Sequence, residues 1–259
     1  MVCGESGVWG IDLLSDAKKV YNWKTNGGSV VGTAFGTDGT VYVSTGDGEY
    51  SPASFSDSIV SLDRKTLQMR DFFTPAKSAF TTSPVVFAYK GKYLVATANA
   101  DGRVYLLDAA SIGGEDHRTP LASSTVGGVV STGDLATWEE GGTRWILAPV
   151  TGAINATVRA FKVVDQGGKP TLQQVWVEGG FTMPQTPTIV NGVVFAASGG
   201  DAQHPAVVYA LDGTTGKELW NSGATITSFA RTGISGGSSQ LYLGTYDSMV
   251  YAFGFPLIK

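Results

Sequence analysis

The sequence has very little cysteine and no long apolar run. Its single cysteine, Cys3, has no second thiol with which to form a disulfide within the chain, and it cannot build a thiolate metal site by itself. No apolar run approaches the roughly 18 residues that a membrane-spanning helix needs. We therefore expect no internal disulfide, no cysteine-based metal centre and no transmembrane helix in the given chain.

Charge and histidine are also scarce. The chain has 18 lysine and arginine residues against 22 aspartate and glutamate residues, a net charge of -4, and its basic residues are scattered. Nucleic-acid binding needs clustered basic residues, so we do not expect a nucleic-acid partner. With only two histidines, His117 and His204, and no Gly-x-Ser-x-Gly stretch, the sequence gives little support for a Ser-His-Asp hydrolase.

Glycine and strand-forming residues are abundant. The 259 residues include 35 glycines and many threonines, valines and tyrosines, whereas patterns with the period of a helix are scarce. β-branched and aromatic residues favour strands, and frequent glycine favours tight turns. Because 42% of the residues are hydrophobic, the chain has enough apolar material for a substantial core. The composition therefore predicts an all-β globular protein.

A short apolar segment, which often ends in aspartate, recurs along the chain. Its six copies are VWGID (8–12), IVSLD (59–63), VYLLD (104–108), VRAFK (158–162), VYALD (208–212) and VYAFG (250–254). Successive copies are separated by 42 to 54 residues. That spacing suits about four short strands per repeat, which is the period of a propeller blade.

Other apolar segments fill the intervals in a constant order, so that the recurring segment is the third strand of each repeat. The predicted first strands are 30–35, 82–87, 132–138, 186–190 and 231–235. The predicted second strands are 40–46, 93–99, 145–151, 193–199 and 241–247. The predicted fourth strands are 20–24, 70–74, 120–125, 174–178 and 218–222. This pattern predicts a β-propeller of four-stranded antiparallel blades, with about six blades or partial blades present.

The fifth repeat carries a specific motif. Its pattern Ala210-x-Asp212-x-x-x-Gly216-Lys217-x-x-Trp220 resembles the tryptophan-docking motif of the quinoprotein-type propellers, which are built from pyrroloquinoline-quinone-like repeats. Degenerate versions occur around Gly10, Asp12 and Trp23, around Ser61, Asp63 and Phe72, and around Ala160, Phe161 and Trp176. The resemblance implies that the tryptophan packs between blades near the turn glycine. We therefore expect Asp212 to accept turn amide protons, Gly216 to adopt a positive φ and Trp220 to be buried.

We interpret residues 1–259 as a single propeller domain that is incomplete at its N-terminus. Aligning the repeats places Met1 in the middle of a second strand and ends the chain after a third strand. Propellers of the family that the motif resembles usually have more blades than the repeats found here. The resemblance therefore implies that further blades, together with any signal peptide, precede the given sequence.

The same resemblance suggests where a ligand would bind. Quinoprotein dehydrogenases hold the quinone and a calcium ion at the channel mouth with Glu, Asn, Asp and a basic residue, and many also carry a vicinal cysteine pair, which this sequence lacks. The loops that we expect at the channel mouth contain weak cofactor-binding candidates, which are Asp134, Gln185, Arg231, Asn155, Asp201 and His204. We predict no catalytic residue and no metal ligand among them.

Two further loops contain acidic residues. The segment 45–58 carries Asp47, Glu49 and Asp57, which are suitable oxygen ligands for calcium, but their spacing matches no known calcium loop. We expect a solvated insertion there. The segment 113–120 places Asp116 beside His117 on an outer hairpin, and consecutive loop residues rarely converge on one metal.

Three classes of function remain open. The first is a non-catalytic, exported scaffold, periplasmic or extracellular by resemblance, which binds a protein or small ligand on one propeller face and needs no cofactor. The second is a fragment of an alcohol or sugar dehydrogenase that uses pyrroloquinoline quinone with calcium. The third is another propeller enzyme, such as a lyase or hydrolase, which would need histidine and acidic residues clustered around the channel. The sequence favours the scaffold.

Overall fold

The computed structural model describes residues 2–4, 7–14, 18–48, 54–152, 155–237 and 239–254. They form 22 strands in six sheets, and this part of the chain contains no helix. A helix that is long and apolar enough to span a membrane is therefore not found among the described residues. Met1 and Glu49, which the sequence placed in a strand and in an acidic loop, lie outside the described residues.

The chain divides into two compact units. The first comprises Met1–Thr125 and Asp165–Leu172, and the second comprises Val126–Val164 and Gln173–Lys259. In every sheet, strands that follow one another in sequence are hydrogen-bonded neighbours. Each sheet is thus an antiparallel meander, as predicted for a blade.

The first unit contains three sheets. Sheet 1 consists of β1 (Val2–Gly4), β2 (Gly7–Ile11) and β3 (Val20–Lys24). Sheet 2 consists of β4 (Val30–Phe35), β5 (Val41–Thr45), β6 (Ile59–Leu62) and β7 (Met69–Phe73). Sheet 3 consists of β8 (Val85–Tyr89), β9 (Lys92–Asn99), β10 (Arg103–Asp108) and β11 (Ala122–Thr125). The first strands of these sheets lie beside one another, since β4 contacts both β1 and β8.

The second unit contains the remaining sheets. Sheet 4 consists of β12 (Ala136–Glu140), β13 (Thr143–Val150), β14 (Ala156–Gln166) and β15 (Lys169–Phe181), and the tip of its last hairpin is grouped with the first unit. Sheet 5 consists of β16 (Thr188–Val190), β17 (Val193–Ser198), β18 (Val207–Asp212) and β19 (Glu218–Asn221). Sheet 6 consists of β20 (Ser235–Gly237), β21 (Gln240–Gly244) and β22 (Val250–Gly254).

The predicted strands are confirmed, with two informative differences. The β14–β15 hairpin is longer than predicted because its strands continue up to a two-residue turn. Gly167 and Gly168 form this turn with φ of +58° and +79°, and such a turn matches the twist of the two strands. β20 begins at Ser235 rather than at residue 231. The reason is that Ala230 N–H donates to the Gly199 carbonyl at 2.7 Å and Arg231 Nη1 donates to the Gly200 carbonyl at 2.9 Å, which holds both residues in the preceding loop.

The middle strands carry the core of the first unit. β5 and β6 are buried along their whole length. On one face, Val41 and Val43 pack with Trp23 of sheet 1. On the opposite face, Tyr42 packs with Tyr105 of sheet 3. A strand with both faces covered reads as a continuous apolar run, which explains why these segments were easy to recognise in the sequence.

Tryptophans dominate the core between sheets 4 and 5. Trp138 and Trp145 stack with ring centroids 5.2 Å apart, and they share a buried cluster with Trp176 and Leu211. Burying a large apolar side chain stabilises a fold by about 1.5–3 kcal/mol. The cluster therefore contributes to holding sheets 4 and 5 together.

The turn between β18 and β19 has the predicted geometry. Asp212 Oδ1 accepts hydrogen bonds from the N–H groups of Thr214 and Thr215 at 3.1 and 2.8 Å, and Gly216 has φ of +76°. Hydrogen bonds from the Thr214 and Thr215 hydroxyls and amides hold the pKa of the Asp212 carboxyl below its usual value. The expected roles of Asp212 and Gly216 are confirmed.

The expected burial of Trp220 is wrong, and Trp176 takes the predicted role instead. Trp176 is 7% exposed, and its Nε1–H donates to the Gly213 carbonyl at 2.9 Å. A Cβ on Gly216 would lie 2.7 Å from the Trp176 ring, so the ring rests directly on the turn. Trp220 is 43% exposed. A docked tryptophan needs the turn of the following sheet, and the described part of sheet 6 ends with its third strand before such a turn.

Candidate binding face

The predicted site residues lie on loops of the second unit that emerge from one end of its sheets. In a meander, the loops after second strands and after fourth strands leave the sheet at the same end. In the second unit these are the loops 151–155, 182–187, 199–206, 222–234 and 245–249, with 126–135 leading into β12. We call this end of the second unit the loop face.

The loops that carry Asp134 and Gln185 are tied together. Asp134 N–H donates to Thr186 Oγ1 at 2.8 Å. Gln185 is 3% exposed and its Nε2 donates to the Met183 carbonyl at 2.8 Å. The Met183 carbonyl also accepts from Gly199 N–H at 3.1 Å. The amide of Gln185 therefore fixes the loop backbone at the base of the loop face.

Asp201 and His204 form a local pair. His204 Nδ1 lies 2.8 Å from Asp201 Oδ1, and the same oxygen accepts from the N–H groups of Gln203 and His204 at 2.9 Å each. The Gln203 amide, followed by the His204 imidazole, lowers the pKa of the Asp201 carboxyl. The His204 side chain remains largely exposed. Both residues therefore belong to one turn, and the Asp201 carboxylate accepts hydrogen bonds from groups of its own loop.

Arg231 belongs to a stack of side chains that protrudes from the loop face. Its guanidinium carbon lies 4.5 Å from the centroid of the Phe229 ring. The Phe229 ring in turn stacks on Tyr246, with centroids 4.6 Å apart and planes inclined by 21°. Arg231 Nη1 also donates to the Gly200 and Ala230 carbonyls, and Tyr246 N–H donates to the Phe229 carbonyl at 2.9 Å. We call Phe229, Arg231 and Tyr246 the arginine–aromatic stack.

Three of the six predicted residues form hydrogen bonds close to their own positions in the chain. The Gln185 amide, the Asp201 carboxylate and the Arg231 guanidinium each bind groups of their own or a neighbouring loop. Asn155 is exposed, and among the described residues it forms no hydrogen bond with the other candidates. A quinone and calcium site formed by the candidates together stays a prediction. No group of three Asp, Glu, His or Cys side chains suited to a metal occurs in the part of the chain that the structure describes.

Sequence reasoning missed Phe229 and Tyr246. They lie on loops of different sheets, and an isolated aromatic residue in a loop is more often read as core. Phe229 lies just before the predicted first strand 231–235, in a loop expected at the same end as Arg231, whereas Tyr246 was placed inside the predicted second strand 241–247.

The acidic loops of the first unit have other roles. Asp116 Oδ1 caps its turn through the Arg118 and Thr119 N–H groups, and His117 stacks on Phe72 with centroids 4.0 Å apart. Asp57 is fully buried, and among the residues that the structure describes neither of its carboxylate oxygens has a hydrogen-bond partner. Burial, followed by the charge of Asp47, raises the pKa of the Asp57 carboxyl. The expectation that Asp57 lies in a solvated insertion is therefore wrong.

Comparisons with known proteins identify the fold. Neither a protein-family model nor a curated protein matches the chain. Among solved structures, BBS1N in complex with ARL6DN is 13% identical, with a TM-score of 0.60 over 99% of this chain and 79% of that chain. The β-propeller domain of Myceliophteria thermophila Cps50 (Swd1) is 10% identical, with a TM-score of 0.61 over 96% and 69%.

A third neighbour is a chain of the Mitotic Checkpoint Complex, 11% identical, with a TM-score of 0.65 over 98% of this chain and 72% of that chain. Identities this low show the fold alone. The similarity to these structures and the six antiparallel meanders confirm the sequence prediction that the chain has the fold of a β-propeller.

Proposed function

We propose that the protein is a non-catalytic scaffold that binds a protein partner through the loop face, with the arginine–aromatic stack at the centre of the contact. The observation that carries the proposal is the stack itself. Tyr246 is 74% exposed, yet its ring is held in place by Phe229. Tyrosine and arginine are the residue types that most often dominate the energy of protein interfaces.

The stack is organised in advance of binding. Two carbonyl acceptors and the Phe229 ring hold the Arg231 guanidinium, and the Tyr246 backbone is bonded to Phe229. Side chains that are already fixed lose less conformational entropy when a partner covers them. Half-buried Asp201 and exposed His204 lie on the loop next to Gly200, and they supply a polar rim.

The structural neighbours support a binding role without naming a partner. BBS1N was solved with ARL6DN, and another neighbour is a chain of the Mitotic Checkpoint Complex. Propellers commonly bind partners through loops that a rigid scaffold positions. The proposal includes export to the periplasm or the cell exterior, which rests only on the resemblance of the repeat motif and is tested by fractionation of the source cells.

Site-specific photo-crosslinking tests the proposal. A benzophenone amino acid placed at Tyr246 should capture a discrete protein in extracts of the source organism. The same amino acid at Tyr93, a 42% exposed tyrosine on β9, is the matched control and should not capture it. Capture at both positions alike, or at neither, would contradict the proposed contact.

A further inference from the structure

Only one side of the Arg231 guanidinium is used by the arginine–aromatic stack. Its Nη1 donates to the Gly200 carbonyl at 2.9 Å and to the Ala230 carbonyl at 3.0 Å. Among the residues that the structure describes, no group accepts a hydrogen bond from Nε or Nη2 of Arg231, and no carboxylate pairs with the guanidinium. Arg231 is exposed, so these donors are accessible from the loop face. Nε and Nη2 form an edge with two parallel N–H groups, which we call the donor edge.

The protein fixes the position of the donor edge. The Arg231 guanidinium carbon lies 4.5 Å from the centroid of the Phe229 ring, and the two carbonyls hold Nη1. The backbone beside Arg231 is also held, because Ala230 N–H donates to the Gly199 carbonyl at 2.7 Å. A guanidinium that is already held loses little conformational entropy on binding, and its planar fork matches the two oxygens of a carboxylate.

Loops that join described strands on both sides form this arrangement. The Gly200 carbonyl lies in the loop between β17 and β18, and the Ala230 carbonyl lies in the loop between β19 and β20. β22 begins after the loop that carries Tyr246 and ends at Gly254, at the opposite end of sheet 6. The position of the donor edge therefore does not depend on the free edge of β22.

The charges of the loop face favour a ligand with one negative charge. Arg231 is the only lysine or arginine in the loops that form this face. Asp201 follows Gly200, and Asp247 follows Tyr246, so two acidic residues neighbour the stack in sequence. A doubly charged phosphate is typically bound by a cluster of arginines, which these loops do not contain. A single carboxylate with basic neighbours matches this distribution of charge.

We propose that the donor edge binds an aspartate or glutamate side chain of the partner protein, in a segment that also carries lysine or arginine close to this acidic residue. The inference rests on the proposed function, since it names the chemistry of the partner that the loop face binds. The partner's carboxylate accepts one hydrogen bond from Nε and one from Nη2 of Arg231. Its basic neighbours meet Asp201, Asp247 and the exposed ring of Tyr246, which attracts cations.

A library of random heptapeptides displayed on phage tests the proposal without knowledge of the partner. The library is selected at low salt on the immobilised full chain and, in parallel, on the Arg231→Gln variant, whose folding is checked by its melting temperature. Peptides enriched on the full chain should share one aspartate or glutamate with a lysine or arginine close to it. They should not be enriched on Arg231→Gln.

The most enriched peptide is then synthesised and titrated into the ¹⁵N-labelled chain. The Nε–H signal of Arg231, assigned with the Arg231→Lys variant, should shift saturably. Replacing the acidic residue of the peptide by the corresponding amide should weaken binding by about tenfold or more, because hydrogen bonds between charged groups are stronger than those to neutral groups. Arg231→Lys keeps the charge but removes the fork, and it should also weaken binding by about tenfold. A peptide with phosphoserine in place of the acidic residue should bind no more tightly than the original.

Four results would overturn the proposal: no enriched peptide, enriched peptides without an acidic residue, an unmoved Arg231 signal, or equal binding of the amide peptide. Tighter binding of the phosphoserine peptide would also overturn it, because the donor edge would then be a phosphate site. Capture of a protein at Tyr246 together with any of these results would support the proposed function and reject this inference. Conversely, peptide binding that depends on Arg231, without capture at Tyr246, would support the carboxylate site and count against the proposed function.

Discussion

At the scale of single residues, burial and exposure decide which side chains stabilise and which bind. Trp176 is buried on a turn, whereas Trp220 has the better motif and is 43% exposed. Tyr246 is exposed but fixed by stacking on Phe229. Asp57 is buried, and its carboxylate has no hydrogen-bond partner in the described part of the chain. These environments lead to three predictions.

The two tryptophans should differ sharply in their contribution to stability. Trp176→Ala should lower the free energy of unfolding by about 3–5 kcal/mol, the range for a buried aromatic side chain. Trp220→Ala should lower it by about 1 kcal/mol or less, since much of its ring already contacts water. Urea denaturation of both variants measures the difference. A larger loss from Trp220→Ala would show that the docking role had been assigned to the wrong residue.

Asp57→Asn should stabilise the protein at neutral pH. Burial and the charge of Asp47 raise the pKa of the Asp57 carboxyl. The stability that the protonated Asp57 contributes is therefore fully present below the ordinary pKa of an aspartate, and it is lost as the pH rises through the raised pKa. Each unit by which the pKa is raised corresponds to about 1.4 kcal/mol lost at neutral pH. Melting temperatures of variant and wild type should therefore differ at pH 7 and converge towards about pH 4. Asp47→Asn, which removes only the neighbouring charge, should have a smaller effect, and a pH-independent difference would contradict this assignment.

Replacing the turn glycine tests the Trp176 contact from the other side. Gly216→Ala should destabilise the fold by about 2–4 kcal/mol, because it combines an unfavourable positive φ with overpacking against Trp176. Gly223→Ala is the matched control, since Gly223 has φ of +53° but no atom nearer than 4.0 Å to the added Cβ. It should cost about 1 kcal/mol. Equal losses for the two variants would mean that the ring does not rest on the turn.

At the scale of strands and loops, the sequence predicted what local chemistry determines. The apolar runs of the middle strands and the Asp212–Gly216 turn were recognisable because a strand covered on both faces and a turn with positive φ each require particular residue types. The start of β20 was misplaced, because it depends on hydrogen bonds from residues 230 and 231 to a loop of another sheet. The burial of Trp220 was wrong for the same reason, since docking depends on a turn of the following sheet.

The candidate site shows the same limit. Arg231 was named from the sequence, but its partners Phe229 and Tyr246 were not, because their stacking joins loops of two sheets. Asp57 was placed in a solvated loop, because the sequence does not show which neighbouring loops cover it. Contacts within one hairpin are encoded locally, whereas contacts between sheets depend on the assembled fold.

At the scale of the whole molecule, we propose a propeller that binds a partner and carries out no reaction of its own. Three of the predicted cofactor candidates, Gln185, Asp201 and Arg231, bind groups of their own or a neighbouring loop. Pyrroloquinoline quinone with calcium should therefore produce neither a shift in melting temperature nor dye-linked oxidation of alcohols, because a ligand that binds only the folded state must stabilise it. A saturable shift that disappears in Asp134→Ala or Arg231→Ala would favour the dehydrogenase instead.

The central claim is that the arginine–aromatic stack is the binding site, and the affinity of the partner captured at Tyr246 tests it most directly. Calorimetric titration of this partner should show that Tyr246→Ala and Arg231→Ala each weaken binding by about tenfold or more, while Tyr93→Ala leaves it unchanged. The Tyr246→Ala variant should keep its melting temperature, because its side chain is 74% exposed. Unchanged affinity in both stack variants, with the fold intact, would contradict the account.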